Sequence, residues 1–386
     1  MNKKVLVYLS LLSVLLAGHM IIPLIGLYAA VVLGAAPFVI GFIYGVATIT
    51  AFAYRLPSAW LTSKIGVRRT MAVGMFSTTL ACVVYGLSTS PIQMVVGSFL
   101  RGLGSAFFFP TALSTVYEEA GGDGRDAKNL GYMLTAPAMG MTLGPVVGAA
   151  VLSVSNHQTT FFTAAAISSA GLVGMLSVRD YEQTKASIKP ASVLERRFLF
   201  LLASRFFINY ITGTVAAFVP LMANMVLGHA EPVVMLLFTA GAVANLSSRI
   251  VMGAFSSRLG AHNYLLMGSL TLSMSALILS LLNEGLTWVG MVAYGMGMGV
   301  FVLGSVYMTG RLLPPEARTM GFAMLTLAID VGSSAGNFFS GMVLTLAGFR
   351  EVFLVAALSG FTGAAVDLIS RRWPLPSERQ GPASSA

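Results

Sequence analysis

Long apolar stretches, each about as long as a lipid bilayer is thick, constrain this chain more than any other feature. A helix that crosses a bilayer takes roughly 20 apolar residues, because the hydrocarbon core offers no water to pair with an exposed backbone amide or carbonyl. The sequence has twelve such stretches, and it therefore predicts an all-α membrane protein with twelve transmembrane helices. The predicted helices cover about 5–33, 38–61, 70–90, 92–118, 129–153, 158–179, 197–227, 232–257, 263–284, 286–311, 318–347 and 350–373.

Composition also indicates a chain that is surrounded by lipid. Hydrophobic residues make up 56% of the 386 residues, charged residues make up 10%, and the mean hydropathy is +0.82. A water-soluble protein needs more charge than this on its surface. The 41 glycines fit helices that approach each other closely, and the single cysteine, Cys82, excludes an intramolecular disulfide.

The placement of the basic residues predicts the orientation of the chain. A net charge of +9 could by itself indicate a nucleic-acid partner. However, most of the 23 Lys and Arg residues fall on the even-numbered connections, the linker or the termini. By the positive-inside rule we predict a multi-pass protein of the plasma membrane with both termini cytoplasmic and no nucleic-acid partner. The exceptions to this placement are Arg55, Arg101, Arg205, Arg249 and Arg350.

An internal repeat predicts two related halves. The segment 55–74, RLPSAWLTSKIGVRRTMAVG, matches the segment 249–268, RIVMGAFSSRLGAHNYLLMG, at a constant offset. Duplicated halves of this kind are common in secondary transporters. The matched pairs are Arg55 with Arg249, Ser63 with Ser257, Lys64 with Arg258, Gly66 with Gly260 and Gly74 with Gly268.

The polar segment DYEQTKASIKPASVLERR, at 180–197, is the predicted cytoplasmic linker between the halves. We therefore predict six-helix bundles at 1–179 and 198–373, followed by a cytoplasmic tail at 374–386.

The loop between the second and third predicted helices carries a family resemblance. AWLTSKIGVRR, at 59–69, resembles the signature Gly-x-Leu-Ala-Asp-Arg-x-Gly-Arg-Arg of the major facilitator superfamily. Ala59 and Ser63 depart from that signature, at the positions of its glycine and its aspartate. The residues that match it in type are Leu61, Lys64, Gly66, Arg68 and Arg69.

The resemblance implies that this loop and its second copy form a cytoplasmic gate. The second copy has Arg258 and Gly260, again with a serine, Ser257, at the acidic position. Because Ser63 removes the acidic member of the gate's charge network, Glu118 or Glu119 could take its place as a partner of the loop arginines.

The stretch GMTLGPVVGA, at 140–149, is similar to a motif in helix 5 of that family's drug and metabolite antiporters, Gly-x-x-x-Gly-Pro-x-x-Gly-Gly. Gly140, Gly144, Pro145 and Gly148 match the motif, and Ala149 replaces its last glycine. The resemblance implies antiport. The alternative is close helix packing through glycines four residues apart, which holds for any direction of transport.

Three ionisable residues are predicted to lie deep in the membrane. At about 1.5 Å per residue, Arg101 lies about 15 Å, Asp330 about 18 Å and His19 about 22 Å from one end of its helix. Charged groups at such depth are costly, so each is a candidate for substrate binding or proton coupling. The alternatives are an Arg101 held by backbone carbonyls, an Asp330 fixed in a hydrogen bond between the halves, and a structural His19.

Three further polar residues, Arg205, Asn209 and Tyr210, lie on helix 7. The resemblance implies that helix 7 lines the central cavity, which makes them candidate substrate residues, although Arg205 could simply reach the cytoplasmic interface. The symmetry of Arg55 and Arg249 favours a structural or gating role over substrate choice.

The resemblance implies a monomeric secondary transporter that works by alternating access, and its helix 5 motif favours proton-coupled efflux of a drug or metabolite. The alternative is uptake, by symport or uniport, of a small metabolite that could be anionic. No Walker loop, metal-ligand cluster or nucleophile–base set occurs in the sequence, so we predict no enzyme, metal or cofactor. A membrane-embedded enzyme would need several converging acidic or histidine residues, and a receptor without transport activity would fit the same helices.

Overall fold

A computed structural model of the chain describes residues 3–119, 127–177, 196–254, 261–313 and 315–372. Its twelve long helices confirm the predicted number, and each lies close to a predicted stretch. The first helix continues into a π-helical turn at Tyr28–Val32. The helices are α1 (Lys3–Leu27), α2 (Pro37–Ile65), α3 (Val67–Leu87), α4 (Pro91–Glu119), α5 (Ala127–Val154), α6 (His157–Leu176), α7 (Arg196–Met225), α8 (Glu231–Ala254), α9 (Ala261–Leu279), α10 (Glu284–Leu312), α11 (Pro315–Leu346) and α12 (Phe349–Ser370).

The surface of the bundle is apolar, as expected for contact with lipid. Within the described residues, ten helices are long and apolar enough to cross a membrane, and α5 adds a shorter apolar stretch at Met139–Val154. Large apolar side chains are exposed on the outside, for example Ile92 (68%), Leu358 (67%) and Val173 (65%). Such exposure would be costly in water over so many helices, so the chain is a multi-pass integral membrane protein.

The same helix pairings occur in both halves. In the first half, α1 packs on α5 and α6, α3 packs on α4 and α6, and α2 packs on α4. In the second half, α7 packs on α11 and α12, α9 packs on α10 and α12, and α8 packs on α10. Adding six to each helix number converts the first set into the second, which confirms two pseudo-symmetric six-helix bundles. The residue boundaries predicted for the halves stay a prediction, since most of the predicted linker and all of the predicted tail lie outside the described residues.

The most extensive contacts between the halves are those of α2 with α11, α5 with α8, and α1 with α7. Small residues make these approaches close. A Cβ atom added at Gly41 of α2 would lie 2.4 Å from the carbonyl oxygen of Asn337 in α11. A Cβ atom at Gly148 of α5 would lie 2.3 Å from the Cε atom of Met235 in α8.

The bundle has two ends, which we name the termini side, where α1 begins and α12 ends, and the opposite side. On the opposite side the halves touch directly, because His157 at the start of α6 lies 2.8 Å from Glu231 at the start of α8. A Cβ atom at Gly341 would lie 3.0 Å from the carbonyl oxygen of Pro37 at the start of α2. The structure therefore has the two halves in contact on the opposite side.

Candidate functional site

An ion pair joins the two halves near the middle of α2 and α11. Arg55 Nε donates to Asp330 Oδ2 at 2.5 Å, and Arg55 Nη2 donates to Asp330 Oδ1 at 3.0 Å. Only 13% of the Arg55 side chain and 8% of the Asp330 side chain is exposed. A two-point contact of this kind fixes both side chains and neutralises both charges. The acid predicted for proton coupling is thus paired with an arginine predicted for gating.

Neutral polar groups continue this contact between α2 and α11 toward the opposite side. The hydroxyl oxygen of Ser334 lies 2.6 Å from Thr48 Oγ1 and 2.7 Å from the carbonyl oxygen of Asp330. The α2–α11 contact is therefore polar at its centre. This arrangement keeps the charges of Arg55 and Asp330 away from lipid.

Arg101 lies among neutral polar side chains of the first half. Its positive charge acts on His19 of α1, Tyr44 of α2 and Tyr85 of α3. The Nε atom of Arg101 is buried and makes no hydrogen bond, while the Tyr85 hydroxyl lies 2.8 Å from Ser98 Oγ. The structure thus brings the predicted His19 and Arg101 into one cluster.

The glycines of the helix 5 motif face α1 beside this cluster. Cβ atoms added at Gly140 and Gly144 would lie 2.7 Å from Leu15 Cβ and 2.9 Å from His19 Cβ. His19 Nδ1 lies 2.8 Å from the Leu15 carbonyl oxygen, and Pro145 is buried. The close α1–α5 packing agrees with the packing interpretation of the motif, and its implication of antiport stays a prediction.

A second basic cluster lies in the other half. Arg205 of α7 is 5% exposed, its Nη1 donates to Ser305 Oγ at 3.0 Å, and its guanidinium carbon lies 5.2 Å from the centre of the Phe301 ring. The Nε atom of Arg205 is buried without a hydrogen bond. Arg249 of α8 is near enough for its charge to act on Arg205. The structure therefore does not extend Arg205 to the membrane surface.

The other predicted residues of α7 serve the packing of that helix. Asn209 Nδ2 donates to the carbonyl oxygen of Arg205 at 2.7 Å. Tyr210 is buried, and a Cβ atom at Gly336 of α11 would lie 2.1 Å from its carbonyl oxygen. Among the described residues, neither side chain hydrogen-bonds to Arg55 or Asp330, and their predicted substrate role stays a prediction.

The signature loop forms a one-residue connection between α2 and α3. That residue, Gly66, has φ +88° and ψ 163°, a conformation that is open essentially to glycine alone. Lys64 Nζ lies 4.3 Å from the centre of the Trp60 ring, and Arg68 Nε is buried without a hydrogen bond. Leu61 is half-buried, and Arg69 is exposed.

The side chains of Ser63, Glu118 and Glu119, and the segment with Ser257, Arg258 and Gly260, lie outside the part of the chain that the structure describes. The predicted substitution of the missing aspartate by Glu118 or Glu119 therefore stays a prediction.

Two polar contacts were not found from the sequence. His157 and Glu231 bridge the halves on the opposite side, yet they lie 74 positions apart in a chain whose spacing gives no signal of that pairing. Asp367 of α12 is 2% exposed and accepts a hydrogen bond from Ser269 Oγ of α9 at 2.8 Å. Within the described ranges, no group of three His, Cys, Asp or Glu residues could hold a metal ion.

The family follows from comparison with known proteins. The family profile described as Major Facilitator Superfamily matches residues 7–302. The chain belongs to the Major Facilitator Superfamily. It is therefore a multi-pass transporter of that superfamily, as the signature loop predicted.

Curated relatives and solved structures agree with this assignment. "Uncharacterized MFS-type transporter YqjV" of Bacillus subtilis is 21% identical over 372 residues, which cover 90% of this chain and 88% of that protein. "Multidrug resistance protein 1" of the same organism is 21% identical over 293 residues, which cover 73% of this chain and 75% of that protein. A variant of the nucleoside transporter NupG has a TM-score of 0.81 at 15% identity, covering 96% of this chain and 100% of that chain. At this identity the structural match shows the fold.

Proposed function

We propose that this superfamily member is a secondary transporter that moves a small organic solute by alternating access and that proton binding at Asp330 drives export of the solute from the cytoplasm. The ion pair of Arg55 and Asp330 is the observation that carries the proposal. Because it lies between the halves, the charge state of the Asp330 carboxylate affects the strength of the contact between α2 and α11.

The proposed coupling follows from the charge of that pair. With Asp330 ionised, the two-point contact with Arg55 holds α2 against α11. A proton on Asp330 removes one charge and one of the two acceptor sites, so the contact loosens and the halves can rock about the central site. Solute binding and proton release would then favour the return. The multidrug name of a relative supports export as the direction.

Orientation and membrane belong to the same proposal. The basic residues of the even-numbered connections support cytoplasmic termini in the plasma membrane. In that arrangement the termini side is cytoplasmic, and the contact between His157 and Glu231 lies on the external side.

Transport by purified protein in liposomes tests the proposal. We would follow uridine, ethidium and benzoate, which represent a neutral, a cationic and an anionic solute, under an imposed pH gradient. We expect at least one solute to accumulate against its gradient when the opposite compartment is acidic. A solute flux that ignores the pH gradient would leave a uniporter and exclude proton coupling.

The variant Asp330→Asn tests the coupling residue. Asparagine can still bond to Arg55 but cannot bind and release a proton, so we expect pH-driven accumulation to fall to the level of empty liposomes while solute exchange at equal pH continues. Asp367→Asn is the matched control, because Asp367 is also buried in the membrane but bonds within the second half. Full pH-driven accumulation by Asp330→Asn would remove Asp330 from the mechanism.

Uptake of an anionic metabolite by symport or uniport is the second candidate. The arginines Arg101 and Arg205, which are buried or half-buried in the membrane, favour it. The direction of accumulation under the same pH gradient distinguishes uptake from export.

A further inference from the structure

The repeat-related arginines of the two halves have different surroundings. Arg55 and Arg249 occupy matched positions in the termini-side halves of α2 and α8. Arg55 has the Asp330 carboxylate on α11, the helix that packs against α2. The matching neighbour of α8 is α5. Aligning Gly140 and Gly144 of α5 with Gly332 and Gly336 of α11 makes Ala138 the repeat counterpart of Asp330. Arg249 thus has no repeat-related acid.

Within the described ranges, Arg205 and Arg249 also have no acid of another origin nearby. Among the residues that the structure describes, no carboxylate lies within ion-pairing distance of either guanidinium, and the one charge that acts on Arg205 is that of Arg249. A buried guanidinium has five N–H donors, yet Arg205 uses one of them on Ser305 and offers its face to Phe301. Two like charges held together in the membrane are costly, and a bound anion would offset that cost.

One member of the pair is accessible. Arg249 is exposed, in contrast to the buried Arg205. Its Cγ atom would lie 3.4 Å from a Cβ atom at Gly299 of α10, so its stem lies against the inner neighbour of α8. Arg205 contacts Ser305 and Phe301 of the same helix, so both arginines lie against α10.

We propose that Arg205 and Arg249 form the binding site for an organic anion, a small carboxylate or phosphate monoester, and that this is the solute class of the transporter. The identification deepens the proposed function and rests on it. Arg249 supplies the accessible charge and Arg205 supplies the desolvated one. The Phe301 ring, 5.2 Å from the Arg205 guanidinium carbon, helps to hold that planar group in place for a two-point contact with the anion.

Equilibrium binding tests the site without requiring transport. The purified protein, in nanodiscs made only of phosphatidylcholine, would be titrated with benzoate, succinate and phenyl phosphate, and with the uncharged benzamide, succinamide and phenol. Thermal unfolding and calorimetry would report binding. We expect at least one anion to bind and raise the unfolding temperature, while its uncharged counterpart does not.

Variants assign the binding to the two arginines. We expect Arg249→Gln to weaken anion binding by about tenfold or more, the usual effect of losing one charge-assisted contact. Arg249→Lys keeps the charge but loses the planar guanidinium with its paired N–H donors. Its affinity for the anion should therefore lie between those of the wild type and Arg249→Gln. Arg350→Gln is the matched control because Arg350 is exposed at the start of α12 and loses the same charge. Arg205→Gln should weaken anion binding to a similar extent. If Arg205→Gln does not fold, Arg249→Gln alone tests the site.

Several outcomes would overturn the inference. These are the absence of charge-dependent binding, and equal binding by wild type, Arg249→Gln and Arg350→Gln. A third is stabilisation by phosphatidylglycerol in the nanodisc that depends on Arg249 when no soluble anion binds, because the site would then hold a lipid headgroup. If uridine or ethidium moves under a pH gradient while anions neither bind nor move, only this inference fails. If no solute of any class moves, the proposed function fails whatever the binding data say.

Discussion

At the scale of single residues, the described intramembrane charges include one ion pair between the halves and one pair of neighbouring arginines. Asp330 and Arg55 form a hydrogen-bonded ion pair between the two halves. Arg205 has a hydroxyl and an aromatic ring as its neighbours, together with the like charge of Arg249. The sequence predicted that Arg205, Asp330 and the repeat arginines matter. It could not predict their partners, because residues 275 positions apart meet only when the halves pack.

Removing one member of the ion pair should cost more than removing both. We expect Arg55→Gln to lower the free energy of unfolding by about 3 kcal/mol, because it leaves a buried carboxylate without its partner. Arg55→Gln combined with Asp330→Asn should recover most of that loss, since a neutral amide pair can remain hydrogen-bonded. Unfolding in detergent, followed by tryptophan fluorescence, would measure both. Equal losses in the single and the double variant would show that the two side chains are not coupled.

At the scale of helices, prediction succeeded because a membrane helix must pair its own backbone groups along its whole apolar length. The twelve apolar stretches therefore became twelve helices with ends near those expected. The tight turn in the signature loop could also be predicted, because Gly66 adopts a positive φ that other residues rarely adopt. Helix contacts were harder to predict, since every face of such a helix is apolar and the pattern does not say which face meets protein.

The α1–α5 contact can be tested with two glycines. We expect Gly144→Ala to destabilise the protein by about 1–3 kcal/mol, because its methyl group would lie 2.8 Å from the Leu16 carbonyl oxygen and 2.9 Å from His19 Cβ. Gly18→Ala, in α1, is the matched control, because a Cβ atom there meets nothing within 4 Å. That variant should be neutral or slightly stabilising, as alanine favours a helix over glycine. Equal effects of the two changes on thermal unfolding would contradict the close packing.

At the scale of the whole molecule, the pairing of helices repeats between the halves, whereas the chemistry between them does not. The α2–α11 contact carries an ion pair, and the α5–α8 contact brings Gly148 against Met235. The repeat in the sequence predicted the shared architecture. It did not predict the bridge of His157 and Glu231, whose two residues lie in segments without a repeat signal.

That bridge offers a test of rocking by the two halves. In a Cys82→Ala background, His157→Cys and Glu231→Cys could be joined by a short bis-maleimide. We expect the joined protein to lose net transport because the opposite side can no longer open, while it still binds solute from the termini side. Each single-cysteine variant treated with the same reagent is the control. Continued net transport by the joined protein would argue against alternating access.

The single residue between α2 and α3 has a mechanical consequence. With Gly66 as the whole connection, no spare chain is available to absorb a shift of one helix relative to the next. The two helices are therefore expected to move together at this turn. When α2 shifts at its ion pair, α3 shifts with it, and the movement reaches the lipid-facing surface of the first half.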